Sequence, residues 1–335
     1  MKVLVVGGAG YIGSHTTYEL IRAAHEVVVL DNLSTGKREA VHASARFYEG
    51  DIRNKDEITR VLQAEAAQTG RPFDMAMHFA AKLVVPESVA QPLTYYENNV
   101  EGLRTMLEAM LEHNIRNIVF SSTAAVYGEI PGGVCFEDDN LLPINPYGET
   151  KLACERMLKW VGSAHGLNYC ILRYFNVAGA DHTLEIGLDK DQLTWLVPLI
   201  MQAALGIREK LQIFGDDYTT PDGTCVRDYI HVTDLAQAHV LGAEYLLKNN
   251  TSLIANLGSG KGFSVAEVVQ AARQMFDFAY EYAPRRPGDP AKLIADVTHA
   301  REVLGWEPRL ALSEILKSDY AYRKQLLQSR AQNQS

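Results

Sequence analysis

Short runs of valine, isoleucine and leucine with little polar alternation recur through the first half of the chain. They fall at Lys2–Val6, Glu26–Leu30, Asp74–Phe79, Asn117–Ser121 and Tyr169–Leu172. Runs of this kind mark strands covered on both faces. Between them apolar positions return at helical spacing, in Ile12–Ala23, Ile58–Ala67, Leu93–His113 and Tyr147–His165. Strand alternating with helix predicts an α/β fold with a doubly wound parallel sheet. From about Asp181 the pattern turns irregular, with turn clusters at Gly215–Gly223, Gly258–Gly262 and Pro284–Pro290. We therefore expect a first domain over 1–180 and a smaller, mixed C-terminal substrate-binding domain over 181–330. The segment 225–250 is expected to rejoin the first domain, since Asp228–Val232 is strand-like and a helical pattern follows it to Leu247.

Composition narrows the partners. The 335 residues are 47% hydrophobic and 22% charged, ordinary values for a globular chain. A formal net charge of -9 repels a nucleic-acid backbone and an anionic membrane, so neither is expected as a partner. The four cysteines, Cys135, Cys154, Cys170 and Cys225, have neither zinc-type nor Cys-x-x-Cys spacing. Reduced thiols, a cytoplasmic location and no metal are the expectation. The N-terminus runs straight into a strand-like segment without a basic leader. The longest apolar stretch, Trp195 to Gly206, is too short for a bilayer and contains Pro198 and Gln202.

The first strand–helix junction carries Gly7-Gly8-Ala9-Gly10-Tyr11-Ile12-Gly13. Gly7 permits a tight turn, Gly10 lets backbone approach a pyrophosphate, and Gly13 lets the helix pack on the sheet. The free N–H groups of the helix start would face the anion. In this position the triplet predicts a Rossmann-type dinucleotide site. Asp31 closes the second strand, where a carboxylate can accept from the adenosine ribose hydroxyls and would repel a 2′-phosphate, favouring NAD over NADP. Asp51 and Ile52, after the third strand, could flank the adenine.

Tyr147 and Lys151 stand four apart at the start of a helix and so share a face. A phenol titrates near ~10, and bringing it to about 7 takes roughly 4 kcal/mol of differential stabilisation. The ammonium of Lys151 and the positive charge of an oxidised nicotinamide would both act in that direction. Lys151 could also hold the nicotinamide ribose. Thr123, after the fifth strand, can hydrogen-bond a substrate hydroxyl and help its proton reach Tyr147. Ser121 and Ser122 are read as strand-end turn formers.

With these motifs in place the chain resembles the UDP-glucose 4-epimerases, of the extended short-chain dehydrogenase/reductase type. The likeness runs from Met1 to about residue 325. It includes Asp31-Asn32-Leu33, Tyr95-Tyr96-Glu97-Asn98-Asn99-Val100, Leu172-Arg173-Tyr174-Phe175-Asn176, Gly223–Val232 and Ala283–Asp289. The resemblance implies that NAD is held by Gly7, Gly10, Tyr11, Ile12, Gly13, Asp31, Asn32, Asp51, Ile52, Phe79, Ala80, Ala81, Asn98, Tyr147, Lys151 and Tyr174. For a UDP-sugar it implies Thr123, Tyr147, Asn176, Leu196, Phe214, Arg227, Arg286 and Asp289. Asn176, Arg227 and Arg286 would serve the diphosphate and Phe214 the uracil. Two arginines from separate loops suit a dianion. Arg227 could instead pair with Asp228 or Asp234. Asp289 could hold a ribose hydroxyl or orient Arg286, and Arg285 is read as the solvated one of the pair.

The chain also departs from the family pattern. Lys82 falls one position early and Leu83 takes the usual place of the lysine, which removes support for a lysine contact to the cofactor phosphates. Leu293 occupies a position thought to limit the sugar's C2 substituent, leaving N-acetylhexosamine and pentose forms open. The expected reaction is reversible C4 epimerisation through a transient 4-keto sugar, with NAD tightly bound. A sugar-nucleotide 4,6-dehydratase would place acidic residues where this chain has Ala124 and Ala125, which transfer no protons. A non-catalytic NAD-binding protein would not need Tyr147 and Lys151. A homodimer through the helices Leu93–His113 and Tyr147–His165 is implied, with Leu103, Met106 and Met110 either at that interface or in the core.

Overall fold

The computed structural model describes residues 1–190, 193–286 and 289–332. Its centre is a parallel sheet of β1 (Lys2–Val6), β2 (Glu26–Asp31), β3 (Arg46–Glu49), β4 (Met75–His78), β5 (Asn117–Thr123), β7 (Asn168–Tyr174) and β12 (Leu253–Leu257). The spatial order is β12-β7-β5-β4-β1-β2-β3. The sheet order thus reverses beside β1, and a crevice opens there at the carboxyl ends of β1 and β4. Every residue of β1 and β4 is buried, as the unbroken apolar runs require. One face of the sheet packs α2 (Lys55–Thr69), α5 (Gly102–Glu112) and α6 (Pro146–His165). The other packs α1 (Tyr11–Arg22) and α8 (Val232–Asn249). The short helices α3 (Val85–Ala90) and α4 (Pro92–Tyr95) lie against α6.

The remaining strands form small sheets. β8 (Asn176–Ala178) pairs with β11 (Tyr229–His231), and β9 (Lys210–Phe214) with β14 (Ala279–Ala283), both parallel. β6 (Val134–Cys135), β10 (Val226–Arg227), β13 (Phe263–Ser264) and β15 (Lys292–Ala295) form the order β13-β10-β15-β6. The helices α7 (Leu196–Ala204), α9 (Val265–Arg273) and the C-terminal α11 (Leu312–Gln332) enclose a third core beside them, and α10 (Thr298–Leu304) packs near β12. Of the turn expected at Pro284–Pro290, Pro287 and Gly288 lie outside the described residues.

Two sequence-based expectations need correction. In the segment 225–250, β10 and β11 join small sheets rather than the main one, and only α8 returns, as a cover. The strand that enters the main sheet is β12, just beyond the expected limit. The helix expected over Leu93–His113 is interrupted by a π-helical turn over Tyr96–Glu101. The wider turn carries Asn99 into the interior, where its side chain meets partners on two other segments. A helical pattern of apolar residues cannot reveal that tertiary pull.

A buried ion pair fixes α6 on the sheet. Glu155, in α6, accepts from Arg173 of β7 (Nη2 to Oε2, 2.7 Å) and from the Ser122 hydroxyl of β5 (2.5 Å). Arg173 Nη1 also donates to the Tyr127 hydroxyl and the Glu137 carbonyl, both at 3.0 Å. Glu155 and Arg173 are at most 1% exposed. Ser122, read as a turn former, is thus part of a closed polar network that leaves neither charge unpaired. Replacing Glu155 by Ala strands the guanidinium and should lower folding stability by about 3–5 kcal/mol, measured as a lower urea midpoint. Removing the exposed Lys55–Glu112 pair should leave the midpoint near that of the parent protein.

Candidate active site

The glycine turn is shaped by close approach as much as by dihedral angle. Gly7 has φ +82°, and a Cβ there would lie 2.6 Å from the Ala80 nitrogen, at the end of the neighbouring β4. A Cβ at Gly13 would lie 2.2 Å from the Gly7 oxygen, so α1 can seat on the turn only without a side chain. Gly10 meets nothing closer than the Gly7 oxygen at 3.3 Å, and no side chain caps α1. The first-turn N–H groups of α1, at Tyr11, Ile12 and Gly13, are therefore available to an anion, as a pyrophosphate requires. Asp31, 8% exposed, accepts from the Ala9 N–H (2.9 Å) and the Leu33 N–H (2.8 Å). Burial raises its pKa, and those two hydrogen bonds oppose the rise.

Next to it Asn32 donates to Asp51 at 3.0 Å. Arg53 clamps the same carboxylate and, against its partial burial, holds it well below the usual range. Asn32, Glu49, Gly50, Asp51, Glu57 and Arg60 line an open cleft of about 290 Å³. Ile52 is buried against Gly102. The Tyr11 hydroxyl donates to the Gly179 carbonyl at 2.6 Å, tying the glycine turn to the chain beyond β8.

After β4, the N–H groups of Phe79 and Ala80 both donate to the Val6 carbonyl, at 2.8 and 3.2 Å. Ala81 and Lys82 follow. Lys82 Nζ pairs with Glu87 at 3.1 Å. The residue that organises this loop is Asn99, which sequence reading did not single out. Its Oδ1 accepts from the Lys82 N–H (2.8 Å) and from Asn98 Nδ2 (3.0 Å). Its Nδ2 donates to the Lys82 carbonyl and to the Thr150 hydroxyl, both at 3.0 Å. The doubled Asn98-Asn99 within a helical pattern was the available signal, since asparagine is a poor helix former.

Tyr147 enters at the first turn of α6, where Pro146 leads and the Asn145 side chain accepts from the Gly148 N–H at 2.9 Å. Its side chain is half-buried, and the Thr123 hydroxyl is near enough to act on the phenol. Burial pushes its pKa up to about 12, and the Thr123 hydroxyl opposes that rise. Lys151 lies one turn on, 3% exposed, with Nζ donating to the Ser121 carbonyl at 2.7 Å and standing 4.8 Å from the Phe120 ring centre. Burial brings its pKa down to about 8, while Cys154 and Glu155 oppose that shift. The expected acidification of the phenol by this amine is not achieved by the protein's own groups: desolvation outweighs everything the chain supplies. Ser121 is no turn former either. Its hydroxyl meets His239 Nε2 at 3.0 Å.

The other residues expected to bind substrate come from five segments. Asn176 donates from Nδ2 to the Asp228 carbonyl at 3.0 Å. Leu196 opens α7. Phe214 ends β9, with the Arg286 guanidinium 3.9 Å from its ring centre. Arg227 donates from Nη1 to the Val226 and Pro290 carbonyls (2.9 and 2.8 Å) and lies 3.6 Å from Asp289. Neither alternative partner for it holds. Asp228 is turned inward onto Ser259, Gly260 and Ala295, and Asp234 accepts from the Arg309 and Leu310 N–H groups. Asp289 therefore orients Arg227 rather than Arg286. Arg285 is not simply solvated: it pairs with Asp217 and lies 4.0 Å from the Tyr218 ring centre. Leu293 stands beside Arg227 in register.

Known proteins resemble this chain in sequence and fold. Residues 3–258 match the NAD dependent epimerase/dehydratase family. The UDP-glucose 4-epimerase of Halalkalibacterium halodurans is 51% identical over 311 residues, covering 92% of this chain and 91% of that protein. A crystal structure of a UDP-glucose 4-epimerase superposes with a TM-score of 0.92 at 47% identity, covering 97% of this chain and 98% of that one. The UDP-glucose 4-epimerase from Brucella ovis, crystallised in complex with NAD, gives 0.91 at 43% identity over 96% of this chain and 98% of its own. A glycine turn fitted to a pyrophosphate, a buried carboxylate beside it and a tyrosine–threonine pair in the same crevice, matched along almost the whole chain, place this protein in the NAD dependent epimerase/dehydratase family.

Proposed function

We propose that this protein interconverts UDP-glucose and UDP-galactose by reversible epimerisation at C4, with NAD held throughout the cycle. The observation that carries the reading is the placement of Tyr147, at the start of α6, beside Thr123, at the end of β5, in the crevice that the glycine turn opens. NAD supplies a hydride acceptor that returns the hydride, and in its oxidised form a positive charge. Tyr147 takes the proton of the C4 hydroxyl, and Thr123 orients that hydroxyl and shares the proton. Lys151, held by the Ser121 carbonyl, would hold the cofactor ribose. Arg227, steadied by Asp289, and Arg286 anchor the diphosphate with Asn176, so the sugar can turn while the nucleotide stays. Phe214 and Leu196 give the base an apolar wall. Asp31, already holding two backbone N–H groups, selects a cofactor without a 2′-phosphate. Ala124 and Ala125 offer no acid or base for a dehydration.

In this reading residues 1–180 with the returning helix hold NAD, and 181–330 hold the UDP-sugar. Leu293 beside Arg227 is the residue through which N-acetylhexosamine or pentose forms would be admitted or refused. No helix among the described residues is long and apolar enough to cross a membrane. Four unpaired, buried cysteines suit the reducing cytoplasm. We further propose a homodimer through the outer faces of α3, α4 and α6. Val89, Leu93 and Trp160 are 63%, 82% and 76% exposed on these helices, whereas Leu103, Met106 and Met110 are core residues.

Three outcomes test the reading. Tyr147→Phe should reduce interconversion of UDP-galactose by about 10²–10⁴-fold while UDP binding by calorimetry is kept; full activity would refute the assignment, and a 4-keto-6-deoxy product from the parent protein would replace epimerisation with dehydration. Protein purified without added cofactor should release about one NAD per chain on acid denaturation. Leu93→Lys combined with Trp160→Glu should convert a dimer to a monomer in sedimentation velocity.

A further inference from the structure

The two arginines proposed to meet the diphosphate are not held alike. Arg227 has Asp289 and two backbone carbonyls. Arg286 has no carboxylate partner among the described residues, and its guanidinium rests on the Phe214 ring. An arginine on a turn loses conformational freedom when it meets an anion, and loses less if the chain that carries it is already fixed. The residue just before it supplies that fixing. Arg285 Nε donates to the Asp217 carboxylate, and Nη2 donates to the Asp217 carbonyl oxygen. Its guanidinium lies 4.0 Å from the Tyr218 ring centre, a cation on an aromatic face. Tyr218 is buried, and its hydroxyl has no hydrogen-bond partner among the described residues, so what it offers is the ring. Gly215, at φ +86°, makes this packing possible: a Cβ there would lie 2.5 Å from the Tyr218 ring and 2.7 Å from Arg285 Cγ. The loop under the arginine is closed on itself. The Tyr218 N–H donates to the Gly223 carbonyl (2.8 Å) and the Thr220 hydroxyl to the Thr224 carbonyl (2.7 Å). It begins directly after Phe214, whose strand β9 pairs with β14, and it leads to β10, which carries Arg227. Arg285 thus fastens the exit of β14 to the loop that joins Phe214 to Arg227.

We propose that Arg285 is a positioning residue for the nucleotide end of the substrate: clamped by Asp217 and stacked on Tyr218, it holds the backbone from which Arg286 reaches over Phe214. This rests on Arg286 anchoring the diphosphate, as in the reading above. Asp217 engages both Nε and Nη2 of Arg285, so Arg285 acts through its neighbour. The role needs a planar guanidinium. A lysine carries one nitrogen and cannot lie flat on the ring while reaching both Asp217 oxygens.

The test measures UDP affinity by calorimetry, KM for UDP-galactose, kcat and NAD content in the NAD-loaded protein. Arg285→Ala should weaken UDP binding and raise KM about tenfold, with kcat and NAD content kept. Arg285→Lys should lose nearly as much. Tyr218→Leu should show a similar loss with no change of charge, and Tyr218→Phe, which keeps the ring, should bind UDP like the parent protein. Arg286→Ala should weaken UDP binding by itself, and adding Arg285→Ala to it should bring no further loss. Parent affinity in Arg285→Lys assigns the effect to charge alone. A full additional loss in the Arg286→Ala background assigns it to a contact of Arg285 with substrate. Either result overturns the proposal, as does a fall in NAD content that keeps step with UDP affinity. If Tyr218→Leu does not fold, the variants of the partly exposed Arg285 decide. Weakened binding in Arg286→Ala beside parent affinity in Arg285→Ala removes this inference alone, whereas parent affinity in Arg286→Ala removes the anchor and the inference together.

Discussion

The buried pair of Glu155 and Arg173 is the interaction on which the geometry of the site depends. It joins α6, which carries Tyr147 and Lys151, to β7, and through Ser122 to β5, which ends in Thr123. The tyrosine and the threonine meet because these three elements are held in one register. A slip by one residue would leave a buried ion without a partner, so the pair penalises any other register. Arg173 extends the hold through Tyr127, whose hydroxyl donates to Asn256 of β12 at 2.7 Å. The helix is thereby tied to the edge of the sheet as well as to its middle.

A second theme is the direction in which burial drives protonation. Desolvation raises the Tyr147 phenol and lowers the Lys151 amine, shifting each toward its neutral form. In the proposed reaction, a base that stays protonated until a cation arrives beside it would not act on bound sugar before the cofactor is in place. The chain supplies position, and charge comes with what it binds. The same economy holds at Asp31, whose costly burial is partly offset by two backbone N–H groups that also shape the glycine turn.

What could be read from the sequence is what repeats locally. The run Lys2–Val6 is β1 to the residue, α6 is one residue longer than its pattern, and the glycine spacing marks its own turn because a side chain at Gly7 or Gly13 would collide with backbone. Tyr147 and Lys151 were legible because four residues make one helical turn. The rest depended on partners far apart in the chain. The doubled Asn98-Asn99 hints at a break in the helix, but nothing near it announces that Asn99 reaches both Lys82 and Thr150. Ser121 and Ser122 look like any polar strand end until His239 and Glu155 arrive from more than thirty residues away. Arg227 could have paired with either of two nearby aspartates, but both are taken by backbone N–H groups, and Asp289 from another loop is left for it.

The link from Tyr11 to the Gly179 carbonyl spans 168 residues. Arg22, at the other end of α1, reaches Asp181 in the same stretch, with two hydrogen bonds of 2.7 and 2.9 Å. The first helix is therefore fastened to chain that leaves the ribosome much later. Translation can complete β1, the glycine turn and α1 early, but the enclosure of that turn has to wait. An N-terminal half still in synthesis would present a dinucleotide cradle without its far wall, and firm capture of the cofactor would belong to the last stage of biogenesis.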